Sequence, residues 1–184
     1  MKMLLISVSL AAATALAMPA QGSVLTIGAG FARQCYEAAD RHDTSMTAQD
    51  ACNRALTEQA LNPQDRVATH VNRGIMSYLR GELAAANRDY DMALSLDPQQ
   101  PEAWLNKGLA ALKAGDEAGA MPLFARALDL RTNRPELAWY GQAVIHEDMG
   151  QMREAYAALT RARALAPGWT LPVEELKRYR VVER

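Results

Sequence analysis

Two cysteines are the residues of this 184-residue chain most able to form a covalent bond, and only a short segment separates them. Cys35 lies in GFARQCYEAADRH and Cys52 in MTAQDACNRALTEQALN, with a polar turn around Asp43 to Ser45 between them. Both segments predict helices, so the two cysteines are placed symmetrically about the turn of an antiparallel hairpin. They should face each other, either as a disulfide or as two buried free thiols. A catalytic cysteine is not indicated, because neither has a CxxC spacing or an obvious histidine partner.

Other segments that could support chemistry lack the partners that the chemistry requires. IGAGFAR at 27–33 suggests a dinucleotide-binding loop, but Arg33 stands where the third glycine belongs, and the βαβ context is missing. His42, His70 and His146 are scattered without zinc-ligand spacing, which favours packing roles for His70 and His146. No GxSxG or Walker lysine loop is found. The sequence therefore predicts a protein that is not an enzyme and has no cofactor and no metal.

The composition is that of one helical domain. Hydrophobic residues make up 49% of the chain, alanine is abundant and aromatic residues are few, which favours helix over strand. The net charge of −1 gives no reason to expect nucleic acid or an anionic membrane surface as a partner.

The first twenty residues predict a secretory signal peptide at 1–20. Lys2 precedes an apolar stretch from Met3 to Met18, which is too short to span a bilayer, and small residues follow. Cleavage is expected after Ala17 or after Ala20. The mature chain is then exported, most simply to the periplasm, and has no stable membrane insertion. An oxidising compartment of this kind permits a disulfide.

A repeat explains the rest of the chain. VNRGIMSYLRGELAAA at 71–86 returns as LNKGLAALKAGDEAGA at 105–120, with five of sixteen positions identical and an offset of 34 residues. The units extend over 67–100, 101–134 and 136–170, and a glycine near the middle of each separates two helix-length segments. Within the second unit, Trp104, Gly108 and Ala111 share one helical face, and Ala120, Phe124 and Ala127 share another.

This pattern resembles the tetratricopeptide repeat, W-x2-L-G-x2-Y-x6-7-A-x3-F-x2-A-x4-P. The matching residues are Gly74, Ala86, Tyr90, Ala93 and Pro98, then Trp104, Gly108, Ala120, Phe124 and Ala127, then Trp139, Ala155, Ala162 and Pro167. The resemblance implies an all-α fold, a right-handed superhelix of stacked antiparallel helix hairpins. It also implies that residues 21–63 form a degenerate hairpin capping one end, and that residues 171–184 form a C-terminal capping helix and tail.

Several residues depart from the family pattern. Arg73 and Lys107 replace the leucine before the central glycine, and Thr132 replaces a proline. We expect the long basic side chains to lay their stems over apolar neighbours. The basic residues near the C-terminus, including Arg178, are expected to form a solvated helix face.

The resemblance also implies a function, because tetratricopeptide stacks generally bind peptides on a concave wall formed by the first helix of each repeat. The residues expected on that wall are Val71, Asn72, Ile75, Tyr78, Leu105, Asn106, Leu109, Leu112, Tyr140, Gly141 and Val144. Asn72 and Asn106 recur at one spacing and could pair with a ligand backbone, or they are simply solvated.

Lysine and arginine are missing from the positions that clamp acidic C-termini in some members. The expected partner is therefore an apolar or neutral peptide segment or helix of another protein, bound by a scaffold in the cell envelope. A structural or homo-oligomeric envelope component is the alternative.

Overall fold

The computed structural model describes residues 30–179, and within that range the chain forms nine α-helices and no strand. The helices are α1 (Phe31–Asp40), α2 (Met46–Glu58), α3 (Pro63–Leu79), α4 (Leu83–Leu96), α5 (Pro101–Lys113), α6 (Glu117–Asp129), α7 (Pro135–Asp148), α8 (Met152–Leu165) and α9 (Thr170–Leu176). The predicted signal peptide at 1–20 lies outside the described residues.

The helices pack as consecutive hairpins that stack on one another. α1 packs on α2, α3 on α4, α5 on α6, and α7 on α8. Each second helix also contacts the first helix of the following hairpin, and the first helices α3, α5 and α7 contact one another in turn. Among the described residues this arrangement is an all-α solenoid, which confirms the fold class expected from the repeat.

In the first two repeats, the close helix crossing depends on a glycine and on one aromatic ring. A Cβ placed on Gly74 would lie 2.4 Å from a ring atom of Tyr90, and one on Gly108 would lie 2.8 Å from a ring atom of Phe124. Both rings are fully buried. A Cβ on Gly141 would lie 2.4 Å from Phe124, so the same ring also fills the contact with the third repeat. The expected role of the small residues at the crossings is confirmed.

A second set of glycines ends the first helix of each repeat. Gly81 and Gly115 have φ of +80°, a left-handed conformation that glycine adopts without steric cost. After Gly81, the N–H of Glu82 donates to the carbonyl oxygen of Ser77 at 2.9 Å, which closes the helix end in the manner of a Schellman motif. A Cβ at either glycine would meet nothing within 4 Å, so the requirement here is backbone conformation and not space.

The first repeat starts earlier than the pattern places it. α3 begins at Pro63, one turn before Val67, because the Asn62 side chain accepts a hydrogen bond from the N–H of Asp65 at 2.8 Å. α5 begins at Pro101, where a proline at the first helical position loses no intrahelical hydrogen bond.

The N-terminal hairpin is closed by a disulfide between Cys35 and Cys52. The S–S distance is 2.06 Å and the two Cα atoms lie 4.7 Å apart. The two cysteines therefore face each other as expected, and the disulfide alternative is the one that the structure contains. Around the bond, the side chains that α1 and α2 bury are alanines, and Met76 from α3 completes the cluster.

The last helix covers the third repeat. α9 begins at Thr170, one residue before the expected capping segment at 171–184. Leu176 and Tyr179 pack against a cluster that includes Ala143 and Leu159, as expected for a capping helix.

Candidate functional site

The first helices of the three repeats leave a row of partly exposed side chains at recurring positions. α3, α5 and α7 lie side by side, and each of the three helices contributes half-buried side chains to this row, although α7 only partly repeats the positions of α3 and α5. These residues are Asn72, Ile75 and Tyr78, then Asn106, Leu109 and Leu112, then Tyr140 and Val144. The row is mainly apolar, and its members are anchored from behind by the core, so it offers a firm surface for an apolar ligand.

Two of the residues expected on the wall belong to the core instead. Val71 is 5% exposed and Leu105 is 2% exposed. Val71 packs in a cluster with Ala103, and Leu105 packs with Phe124. Their side chains are turned into the stack because neighbouring first helices contact each other at this position, so the structure assigns them to packing. Gly141, which the sequence also placed on the wall, is buried against Phe124.

Tyr78 is held in place from the neighbouring repeat. The Lys113 ammonium lies 4.5 Å from the centroid of the Tyr78 ring and also donates to the Tyr78 carbonyl oxygen at 3.2 Å. Burial raises the pKa of the Tyr78 hydroxyl, so it stays a neutral donor and acceptor. Sequence reasoning missed Lys113, although it directly follows the wall residue Leu112.

The two recurring asparagines are half-buried, and they are not equivalent. The Asn106 amide nitrogen donates to the carbonyl oxygen of Glu102 within its own helix at 2.8 Å. Part of its hydrogen-bonding capacity is thus used internally, and its oxygen can accept from a ligand. Pairing of Asn72 and Asn106 with a ligand backbone stays a prediction.

A buried ion cluster joins the first repeat to the N-terminal hairpin. Asp89, which is 6% exposed, accepts two hydrogen bonds from Arg73 at 2.7 and 2.9 Å and lies 2.9 Å from His70 Nδ1. Arg73 also donates to the Asn53 side chain at 2.9 Å. Burial acts to raise the pKa of Asp89, but the hydrogen bonds from His70 and Arg73 outweigh it and hold that pKa below its usual value.

This cluster corrects two expectations. Arg73 does not simply lay its stem over apolar neighbours, because its head group is the main partner of Asp89. His70 occupies an aromatic position of the repeat, and it makes a polar contact there instead of apolar packing alone. The sequence contained a hint of this cluster, because Arg73 and Asp89 are charged residues in helices whose neighbouring residues are expected to pack in the core.

The described part of the chain contains no cluster of metal-binding side chains. Between residues 30 and 179, no three histidine, cysteine or acidic side chains converge in a way that could hold a metal ion. His146 lies 2.6 Å from the Gln151 side-chain oxygen, and His42 is an exposed turn residue. Within the same range, no helix is long and apolar enough to cross a membrane.

At the C-terminal end of the row, aromatic and charged side chains contact one another. Tyr140 packs against Trp169 with ring centroids 5.0 Å apart. Arg178 donates a hydrogen bond to Glu147 and forms an ion pair with Glu175 at 3.0 Å. The pKa of Tyr140 is raised by burial and by the Glu175 carboxylate. Arg178 therefore forms ion pairs with α7 and α9 while its side chain stays mostly in solvent, as expected for a solvated basic face.

Comparisons with known proteins agree with this architecture. The profile of the tetratricopeptide repeat family matches residues 101–134, the second repeat. A crystal structure of MamA has 20% sequence identity, covers 77% of this chain and 80% of its own, and superposes with a TM-score of 0.61. A second MamA crystal structure has 19% identity, covers 79% of this chain and 76% of its own, and has a TM-score of 0.62.

A longer protein contains the same fold. The APC/C hetero-tetramer Cut9-Hcn1 has 18% identity and a TM-score of 0.64, covering 79% of this chain and 27% of its own. The chain matches no curated protein sequence. At these identities the solved structures establish the fold alone. With the stacked hairpins, they show that the chain has the fold of a tetratricopeptide-repeat solenoid, and the family profile matches its second repeat.

Proposed function

We propose that the chain is a non-catalytic interaction module that binds a peptide segment of a partner protein along the row formed by α3, α5 and α7. The observation that carries this proposal is the recurrence of half-buried apolar side chains at equivalent positions of successive first helices: Ile75, Leu109, Leu112 and Val144. Tetratricopeptide proteins generally act by binding other proteins, which supports the same class of function.

The composition of the row sets the kind of ligand. Apolar side chains contribute affinity by removing ligand surface from water, at roughly 25 cal/mol per Å² of apolar area. The Asn72 and Asn106 amides lie beside them and can pair with a ligand backbone. We therefore expect a segment with small or medium apolar side chains and an accessible backbone.

We also propose that this binding takes place outside the cytoplasm, most simply in the periplasm. The signal-like residues 1–20 and the Cys35–Cys52 disulfide support this location. Mass spectrometry of the chain from fractionated cells tests it. A periplasmic product that begins at Met18 or Gln21 and has no alkylatable thiol is expected, whereas a cytoplasmic product that retains residues 1–20 would reject the proposal.

Site-specific photocrosslinking tests the groove. A photoreactive phenylalanine analogue is placed at Asn72 or at Asn106, and a matched control places it at Ala125, an exposed position on the second helix α6. In the native compartment, we expect one and the same partner to be crosslinked from both asparagine positions and not from Ala125. Equal crosslinking from Ala125 would show that the partner binds elsewhere.

The asparagines are tested separately from the apolar row. The double variant Asn72→Ala with Asn106→Ala should weaken capture of the crosslinked partner while leaving the helical content unchanged. Undiminished capture by the double variant would reject backbone pairing by the asparagines and leave the apolar row as the binding surface.

A further inference from the structure

The polarity of the groove changes along the stack. The last two groove-side positions of each first helix are residues 78–79, 112–113 and 147–148, which read Tyr-Leu, Leu-Lys and Glu-Asp in the three repeats. The same structural position is thus apolar in the first repeat, mixed in the second and doubly acidic in the third. At these positions, carboxylates occur only in the third repeat, at the C-terminal end of α7.

A cleft with a partly apolar lining lies at this end. α7, α8 and α9 enclose about 240 Å³, lined by Tyr140, Ala143, Val144, Glu147, Asp148, Leu159, Glu175 and Arg178. Val144 and Leu159 supply apolar side chains, and the Tyr140 ring, packed on Trp169, supplies an aromatic surface. Carboxylates beside an aromatic face attract a cation with an apolar stem, by ion pairing and by cation–π contact.

The cleft already holds a guanidinium that belongs to the chain itself. Arg178 from the C-terminal end of the chain reaches Glu147 on α7 and Glu175 on α9. Its side chain remains 55% exposed, so the ion pairs are formed at the mouth of the cleft and can exchange with a competitor. Three carboxylates, from Glu147, Asp148 and Glu175, line the cleft with one guanidinium, which leaves a surplus of negative charge for a second cation.

We propose that this cleft receives an arginine side chain of the bound peptide, which replaces or joins Arg178 between Glu147 and Glu175. The proposal rests on the proposed function, because it assigns one side chain of the same ligand. Packed helix axes lie about 8–10 Å apart, and an extended chain advances about 3.3 Å per residue. The arginine therefore lies about three residues from the apolar side chain that contacts Leu109 and Leu112 on α5.

A pair of small probes tests the cleft without the natural partner. The ¹⁵N-labelled mature chain is titrated with N-acetyl-arginine amide and, as a neutral isostere, with N-acetyl-citrulline amide. We expect the arginine probe to shift backbone amides in 144–148 and 170–178 at millimolar concentration, with little effect of citrulline. Equal shifts from both probes, or shifts spread over the surface, would overturn the proposal.

Three variants sharpen the result. Arg178→Gln keeps much of the side-chain stem but removes the internal competitor, so the affinity for the arginine probe should rise several-fold. Glu147→Gln combined with Glu175→Gln should lower it at least tenfold. Asp129→Asn, an exposed position on α6, is the matched control and should change nothing. Unchanged affinity in the double glutamine variant, with its circular dichroism intact, would also overturn the proposal.

The two proposals fail in different ways. If crosslinking from Asn72 and Asn106 succeeds but the arginine probe shows no preference for the cleft, only the arginine site is wrong. If the probe binds the cleft but no partner is crosslinked from the asparagine positions, peptide binding along the row is wrong and the cleft is an isolated cation site.

Discussion

In the second repeat an aromatic ring fills the helix crossing, whereas in the N-terminal hairpin a disulfide and alanines take its place. Phe124 is fully buried against Gly108 and Gly141, and so connects three helices at once. The buried residues of α1 are three alanines and Cys35, and α1 is also shorter than any first helix of the repeats. The repeat is held by burial of a large side chain, and the terminal hairpin by a covalent link.

The difference follows from position in the stack. An internal repeat has neighbours on both sides, so a large ring can be enclosed completely and contributes through its buried area. A terminal hairpin has a neighbour on one side only, and a large apolar side chain there would remain partly in water. A disulfide stabilises without needing a second neighbour, because it restricts the unfolded chain.

The largest expected effect is that of Phe124→Ala. Removing the ring leaves a cavity shared by α5, α6 and α7, and we expect a loss of about 4 kcal/mol in the free energy of unfolding. Urea unfolding followed by circular dichroism measures it. A loss below about 1 kcal/mol would contradict the central role of the ring, since it would mean that the neighbouring helices close the cavity.

Removal of the disulfide is the next test of the comparison. Cys35→Ser with Cys52→Ser opens a link between residues 17 apart and should cost roughly 3 kcal/mol in the chain-entropy model. Hydrogen exchange should show that protection is lost first in α1 and α2, while amides in α5 and α7 keep theirs. Equal loss throughout the stack would show that the hairpin and the repeats unfold as one unit, contrary to the comparison.

The ion cluster between the two regions has a smaller, pH-dependent effect. Asp89→Asn should cost about 2 kcal/mol at neutral pH, because hydrogen bonds from Arg73 and His70 to a charged group are weakened. The pKa of Asp89 is lowered by folding, so its contribution is present above the unfolded pKa near 3.9 and is lost as the pH falls through the folded value. The difference between wild type and Asp89→Asn should therefore shrink below about pH 4. The exposed Asp129→Asn is the control, and its difference should stay near zero.

The smallest effect is expected for Lys107→Ala. Lys107 pairs with Asp91 at 2.5 Å, but the Asp91 side chain is 59% exposed. Solvent screening limits such pairs to less than about 1 kcal/mol. A thermal unfolding midpoint within a few degrees of the wild type is expected, and raising the salt concentration should reduce the difference further. A loss as large as that of Asp89→Asn would show that exposure does not separate the Lys107–Asp91 pair from the Arg73–Asp89 pair.

Much of the scaffold could be predicted because the same residue types recur at the same positions of two or more repeats. Gly74 and Gly108 stand at equal positions, and their spacing to Tyr90 and Phe124 already implies a close crossing in each hairpin. The turn glycines Gly81 and Gly115 are equally readable, since a left-handed residue at the end of a helix is a local requirement.

The candidate site was predictable only in outline. Helical periodicity placed Val71 and Leu105 on the same face as Ile75 and Leu109, but it could not show that neighbouring first helices cover the first pair and leave the second partly open. The ion pair of Arg178 was even harder to predict from the sequence, because its partner Glu147 lies 31 residues away on another helix.

The sequence by itself determined the helices, their order and the small residues at their crossings, because these depend on local conformation and on a period that recurs along the chain. The tertiary structure alone decided how far each wall residue is exposed, which charges meet around Asp89, and where Arg178 binds. Those features depend on distances between helices that are remote in sequence, and a periodic pattern contains no measure of such distances.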